Sequence, residues 1–260
     1  MLRSVDSLRG FSIGAKDGAI GSVSDFYFDD EKWTIRYLVA DTGWLTGSKV
    51  LISPVSINIV DWTGKKIDVA LTKEQVENSP SIDTDKPVSR QWEESYSNYY
   101  HYPYYWAGPG LWGPAMFPHG IVAPEGLIPE SAAAADSGSA VERSDAEPNN
   151  VHLRSTKEVA GYYIEANDGD LGHVEDFIVD DENWTIRYLV VDTRNWWPGK
   201  KVLISPDWVS DVVRSDSRVF VDLSQEQIKS SPVYEGPDTL NRDFESRLYR
   251  HYGRSQYWVD

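Results

Sequence analysis

The chain has 260 residues, 40% of them apolar, with 11 Trp and 15 Tyr, which suits one large domain or two of about 100 residues and excludes wholesale disorder. Its 41 acidic against 25 basic residues give a formal charge of −16; the densest basic points are Lys65-Lys66 and Gly199-Lys200-Lys201, so nucleic acid and anionic lipid are excluded as favoured partners. There is no cysteine, the opening MLRSVDSLRGFSIGAKDG lacks a signal-peptide core, and no window resembles a membrane span; the expectation is a cytoplasmic protein with no integral membrane segment.

In chain order, Asp17-Gly18 is a turn signal before the alternating run SVSDFYF. The acidic tetrad Asp29 to Lys32 follows as a four-residue loop, then the aromatic and β-branched strand WTIRYLVADT. With that loop Phe28 faces Trp33, and Asp25 faces Arg36 in a cross-strand ion pair worth about 0.2–1 kcal/mol. KVLISPVSINIVD predicts a strand broken near Pro54, and KKIDVAL a short one. Thr72 and Gln75 form a capping box for a short helix. Val88, Trp92, Tyr96 and Tyr100, at four-residue intervals, predict a second helix with one apolar stripe, followed by the aromatic tail YHYPYYW.

All of this returns. Asp17–Thr42 matches Asp168–Thr193 at an offset of 151 with 18 of 26 positions identical, which signals duplication. At an offset of 152, KVLISP at Lys49 meets KVLISP at Lys201, and Tyr105-Trp106 meets Tyr257-Trp258. Asp176 is expected to face Arg187, Ser224 and Gln227 form the second capping box, and Leu240, Phe244, Leu248 and Tyr252 repeat the stripe. Residues 1–106 and 153–260 are therefore two copies of one domain. Residues 107–152 connect them, first as a Gly/Pro/aromatic stretch whose Trp112, Met116 and Phe117 are candidates to dock on a barrel, then as an Ala/Ser/acidic flexible linker.

The ordered motifs DGxxG (Asp17-Gly18 with Gly21), V-x-D-F (Val23 with Asp25-Phe26), IRYLV-x-D (Ile35 to Val39 with Asp41) and KVLISP (Lys49 to Pro54) resemble the PRC-barrel family, the β module of the photosynthetic reaction-centre H subunit. The second copy supplies Asp168-Gly169 with Gly172, Val174 with Asp176-Phe177, Ile186 to Val190 with Asp192, and Lys201 to Pro206. The resemblance covers about 70 residues of each copy. It implies small antiparallel barrels and leaves the linker and the aromatic helices unexplained; with the helices read above and the duplication, the expected fold is mainly β with peripheral α, two small antiparallel barrels, each followed by a short helix and an aromatic-striped helix, paired intramolecularly as a pseudo-dimer. It also implies an assembly module with no catalytic residues to carry over.

The residues offer little chemistry of their own. Asp29-Asp30-Glu31 and Asp180-Asp181-Glu182 are either solvated turns or collectors of a hard cation. His101, His119, His152, His173 and His251 show no zinc spacing, and Ser53 and Ser205 in Leu-Ile-Ser-Pro end strands rather than sit in G-x-S-x-G. The aromatic clusters mark either a recognition surface or a seal of the barrels, and the partner-binding candidates are Tyr99, Tyr100, Tyr104, Trp106, Tyr252 and Trp258. The expected function is a non-enzymatic cytoplasmic scaffold or adaptor that binds protein partners, with no cofactor. The alternative is a regulatory protein holding a metal ion or small ligand between the two barrels.

Overall fold

The computed structural model describes residues 1–43, 49–82, 88–119, 121, 152–193 and 199–259; the linker reading for residues 122–151 lies outside them. In the first repeat come β1 (Leu2–Ser4), α1 (Val5–Leu8), β2 (Ser12–Ala15), β3 (Gly18–Asp29), β4 (Thr34–Asp41), β5 (Lys49–Ile52), β6 (Ile57–Asp61) and β7 (Lys66–Val69), then α2 (Lys73–Glu77) and α3 (Arg90–Tyr100). The second repeat gives β8 (Leu153–Ser155), α4 (Thr156–Val159), β9 (Tyr163–Ala166), β10 (Gly169–Asp180), β11 (Ile186–Asp192), β12 (Lys201–Ile204), β13 (Val209–Val213) and β14 (Arg218–Val221), then α5 (Gln225–Ser230) and α6 (Arg242–Tyr252). The fold is mainly β, as expected.

There are two seven-stranded sheets. One has the order β5-β4-β3-β2-β7-β6 with β8 added against β3; the other has β12-β11-β10-β9-β14-β13 with β1 added against β10. Two ladders, β2 with β7 and β9 with β14, are parallel and depart from the antiparallel expectation, while β1–β10, β10–β11, β9–β10, β11–β12, β13–β14, β2–β3, β4–β5 and β6–β7 are antiparallel.

The chain divides into two compact units. The carboxy-terminal unit comprises Met1–Arg9, Asp30–Ile35 and Ser155–Asp260; the amino-terminal unit comprises Gly10–Asp29 and Arg36–Arg154. The first nine residues thus group with the second repeat's sheet, across the repeat boundary. Within the carboxy-terminal unit, Leu2, Arg3 and Ser4 pair with Asp180, Val179 and Ile178, beyond the part of β10 that β9 covers from Gly169 to His173. The arm is anchored by polar groups as well. Asp176 accepts hydrogen bonds from the Ser4 hydroxyl and the Asp6 amide, and Asp181 accepts one from Arg3 Nε at 3.3 Å while its own amide donates to the Met1 carbonyl.

The hairpin register differs from expectation by one step. Asp180 and Thr185 close the loop through Asp180 N–H to Thr185 O at 2.9 Å, with Trp184 N–H on Asp180 O at 2.8 Å, so the four-residue loop is Asp181–Trp184. Its last residue sits in the left-handed region, φ +63 at Trp184 and +47 at Trp33, where glycine or asparagine is the usual choice. Burial of the indoles, 1% exposed at Trp184, outweighs a backbone cost of about 1–2 kcal/mol. Together with a bulge between Ile178 and Val179, this register makes Asp176 face Val190 and not Arg187. Arg36 pairs with Asp29 and Arg187 with Asp180. Still within the carboxy-terminal unit, Trp33-Thr34-Ile35 pairs with Trp184-Thr185-Ile186: Ile35 N–H donates to Trp184 O and Ile186 N–H to Trp33 O.

The DGxxG motif is explained by geometry. Asp17 accepts the Lys73 amide at 2.8 Å and Asp168 the Gln225 amide at 2.7 Å, capping α2 and α5 from outside, and both predicted capping boxes form. A Cβ on Gly21 would lie 2.0 Å from the Asp41 carbonyl oxygen, and one on Gly172 equally close to that of Asp192. Gly21→Ala and Gly172→Ala should each cost more than about 2 kcal/mol by forcing β3 from β4, or β10 from β11. Thermal unfolding checks this, with Gly43→Ala as a control at a glycine outside the left-handed region whose added Cβ would meet nothing closer than 3.6 Å.

Candidate functional site

In the amino-terminal unit α3 lies across β4. Ser89 caps it through the Trp92 amide, and His101 ends it at φ +57. Its inner face is aromatic: Tyr37 meets Trp92 and Tyr96 edge-on at 5.8 and 5.1 Å, and the Tyr96 hydroxyl accepts the Ser53 amide at 2.9 Å. This covering helix explains why Arg36 to Ala40 of β4 are all buried although a half-exposed strand would alternate.

Among those rings Glu93 is 3% exposed. Its Oε1 accepts from the Tyr105 hydroxyl at 2.7 Å and the Tyr37 hydroxyl at 3.3 Å, and its Oε2 from Arg90 Nη1 at 3.0 Å. Burial pushes the Glu93 carboxyl up to about 7, against the opposing pull of Arg90 and the two hydroxyls; burial also raises Tyr37 and Tyr105. Arg90 rests on the Trp106 ring at 4.1 Å. Arg36, fully buried, donates from Nη2 to Asp29 at 2.9 Å and from Nη1 to the Leu111 carbonyl, with Tyr105 at 3.9 Å and Trp112 at 5.0 Å from its guanidinium.

The carboxy-terminal unit repeats the arrangement. Glu245 accepts from Tyr188 at 2.8 Å, Tyr257 at 3.0 Å and Arg242 at 3.0 Å. Arg242 lies over Trp258 at 4.4 Å and Arg187 over Tyr257 at 4.3 Å. Arg187 occupies the ladder's register shift between Ile178·Tyr188 and Val179·Ile186. Such a bulge interrupts strict alternation, which lets Arg187 and Tyr188, neighbours in sequence, serve the same cluster. The two copies fill their cores differently. Tyr96 and Ser97 are replaced by Leu248 and Tyr249, and Ser56 by Trp208, which packs on Tyr249 at 5.3 Å and Tyr252 at 4.6 Å.

The partner-binding candidates separate into two groups. Tyr100 and Tyr252 are buried, at 9% and 4% exposure, and Tyr100 donates to the Gln75 carbonyl. Tyr99 is exposed on the same carbonyl at 2.9 Å. Tyr104, Trp106 and Trp258 are half-buried, with Tyr104 stacked on Trp106 at 4.8 Å and 8°. Of the docking candidates in the connecting stretch, Trp112 is buried while Met116 and Phe117 are exposed.

Ser53 caps a 3₁₀ turn at Pro54–Ser56 and Ser205 the matching one at Pro206–Trp208. Two carboxylates of the acidic turns, Asp29 and Asp180, are drawn to Arg36 and Arg187. Among the described residues no group of three His, Asp or Glu side chains is placed to hold a metal ion, and no helix is long and apolar enough to cross a membrane.

Sequence reasoning missed Glu93 and Glu245. Their signal was R-x-x-E repeated at Arg90/Glu93 and Arg242/Glu245, inside stripes otherwise read only for apolar residues.

The model of the PRC-barrel domain family matches residues 3–76 and 161–228, together more than half of the chain. No curated protein matches it.

A carboxyl raised from 4.5 to about 7 binds its proton more tightly in the folded than in the unfolded state. Its contribution is therefore most favourable below about pH 4.5 and is lost as pH rises through about 7. Between those limits wild type should lose on the order of 2–3 kcal/mol relative to Glu93→Gln. Denaturant unfolding of both proteins across that range measures it; a pH-independent difference would contradict the assignment.

Proposed function

The chain belongs to the PRC-barrel family, and from that premise we propose that it is a non-enzymatic cytoplasmic scaffold or adaptor that binds protein partners through its two modules. The observation that carries the reading is the duplicated cluster. Arg90, Glu93, Tyr37 and Tyr105 in one unit, and Arg242, Glu245, Tyr188 and Tyr257 in the other, spend their polar atoms on one another, as a supporting frame requires.

On that frame sit rigid, half-buried aromatics. Trp106 is held between Arg90 and Tyr104, and Trp258 against Arg242 and Tyr249. Aromatic side chains fixed in this way bind partners with little loss of conformational freedom. The charge of −16 favours partners with a basic rim and disfavours polyanions. The absence of cysteine suits a reducing compartment.

Affinity capture from native cells with the full chain tests the proposal, repeated with Tyr104→Ala and Trp258→Ala. Recovery of specific proteins should fall several-fold in one or both variants. An unchanged set of captured proteins would remove the aromatic surface from the account. Tyr100→Ala and Tyr252→Ala should instead lower stability by about 3–5 kcal/mol, the cost of emptying a buried aromatic site.

A further inference from the structure

The two arginine sites differ in one respect. In the amino-terminal unit the Arg36 guanidinium is sandwiched: Tyr105 lies on it at 3.9 Å, Trp112 at 5.0 Å, and the Leu111 carbonyl accepts from Nη1. The segment that supplies Leu111 and Trp112 is a tight turn shaped for this place. Gly110 N–H donates to Gly113 O at 2.8 Å, Trp112 N–H to Ala115 O at 2.8 Å, and Gly113 N–H to Tyr105 O at 3.0 Å. A Cβ on Gly110 would stand 2.3 Å from the Ala115 carbonyl oxygen, and Gly113 has φ +71 with the Tyr104 carbonyl oxygen 2.7 Å from its would-be Cβ. Trp112 is 2% exposed as a result.

In the carboxy-terminal unit the receiving half is present, and among the described residues no such turn lies on it. Arg187 has Asp180 at 3.5 Å and the Tyr257 ring at 4.3 Å as its partners among the described residues, and its side chain is 22% exposed where that of Arg36 is fully buried. Tyr257 is half-buried where Tyr105 is buried, and the Trp258 ring meets that of Tyr257 edge-on at 4.8 Å. A partly exposed guanidinium with one aromatic neighbour among the described residues accepts a second ring and a carbonyl oxygen.

We propose that the Arg187–Tyr257–Trp258 face is a docking site for a partner polypeptide that presents a tryptophan in a Gly-Leu-Trp-Gly-Pro-type turn, with its indole on Arg187 and the preceding carbonyl on the guanidinium. The occupant's chemistry is taken from the turn seated at Arg36. The inference rests on the docking function proposed above and narrows it to one face and one class of ligand.

The probe is a peptide of residues 108–117, GPGLWGPAMF, titrated onto the full chain while the indole N–H resonance of Trp258 is followed by NMR, assigned by its loss in Trp258→Phe. Saturable shifts of that resonance are expected below about millimolar peptide. Replacing the peptide's tryptophan by alanine, which leaves the protein untouched, should weaken binding at least tenfold, as should Arg187→Met in a protein whose unfolding midpoint is checked alongside. No shift at millimolar peptide, or shifts indifferent to both changes, would overturn the assignment. Concentration-dependent self-association abolished by Trp112→Ala, without peptide binding, would give the face to a second copy and equally overturn it. Proteins still captured from cells by Arg187→Met, when the peptide fails to bind, would sink this inference and leave the broader docking reading standing.

Discussion

The structure depends on covering both edges of one long strand in each sheet. β10 runs for twelve residues; β11 pairs along one edge, while β9 covers the other only from Gly169 to His173. The remainder, Ile178 to Asp180, is paired by β1 from the chain's first residues. The other sheet is completed in the same manner, with β8 of the second repeat added to β3. An uncovered strand edge invites aggregation, and a three-residue arm is a small addition that removes it. Each repeat therefore supplies a strand its own sheet does not use. The duplicated sequence encodes architecture, and the duplication is itself part of the folding solution.

On sheets completed in this way, the next requirement is to cover one face of β4 and β11. α3 and α6 do so with aromatic rings, and they carry a buried glutamate among them. Burying Glu93 costs enough to lift its carboxyl to about 7, and the cost is limited because its oxygens are bonded to two tyrosines and an arginine. Replacing such a cluster by apolar residues is often neutral for stability. Its recurrence as Glu245 with Tyr188, Tyr257 and Arg242 fits a role in setting where the helix and its aromatic tail lie. That positioning is what presents Trp106 and Trp258 at the surface.

Much of this was legible in the sequence, and the illegible parts have physical causes. The motif order and the two capping boxes pointed to β3 through β7, β10 through β14 and the short helices α2 and α5, because local turn chemistry and period-two patterning acted together; β2, β9, α1 and α4 were not read. The register was misjudged at Trp33 and Trp184, since a tryptophan at positive φ violates the local rule that places glycine there, and only tertiary burial justifies it. The arm escaped notice because Leu-Arg-Ser is too short to show periodicity; it becomes visible only when the offset of 151 is carried upstream to residues 2 and 153. Glu93 and Glu245 were overlooked because a charged residue on a helix is ordinarily read as its solvent face. The parallel pairings of β2 with β7 and β9 with β14 join segments about 50 residues apart, beyond the reach of hairpin reasoning.

The most direct measurement is amide hydrogen exchange on the full chain and on a variant lacking residues 1–4. Removal of the arm should speed exchange at Val179 and Asp181, the alternate amides that face β1, of which Asp181 donates to the Met1 carbonyl, and leave Asp180, whose amide donates to Thr185, as protected as before. Equal protection at Val179 and Asp181 in both proteins would show that the edge needs no exchanged strand and would contradict the account.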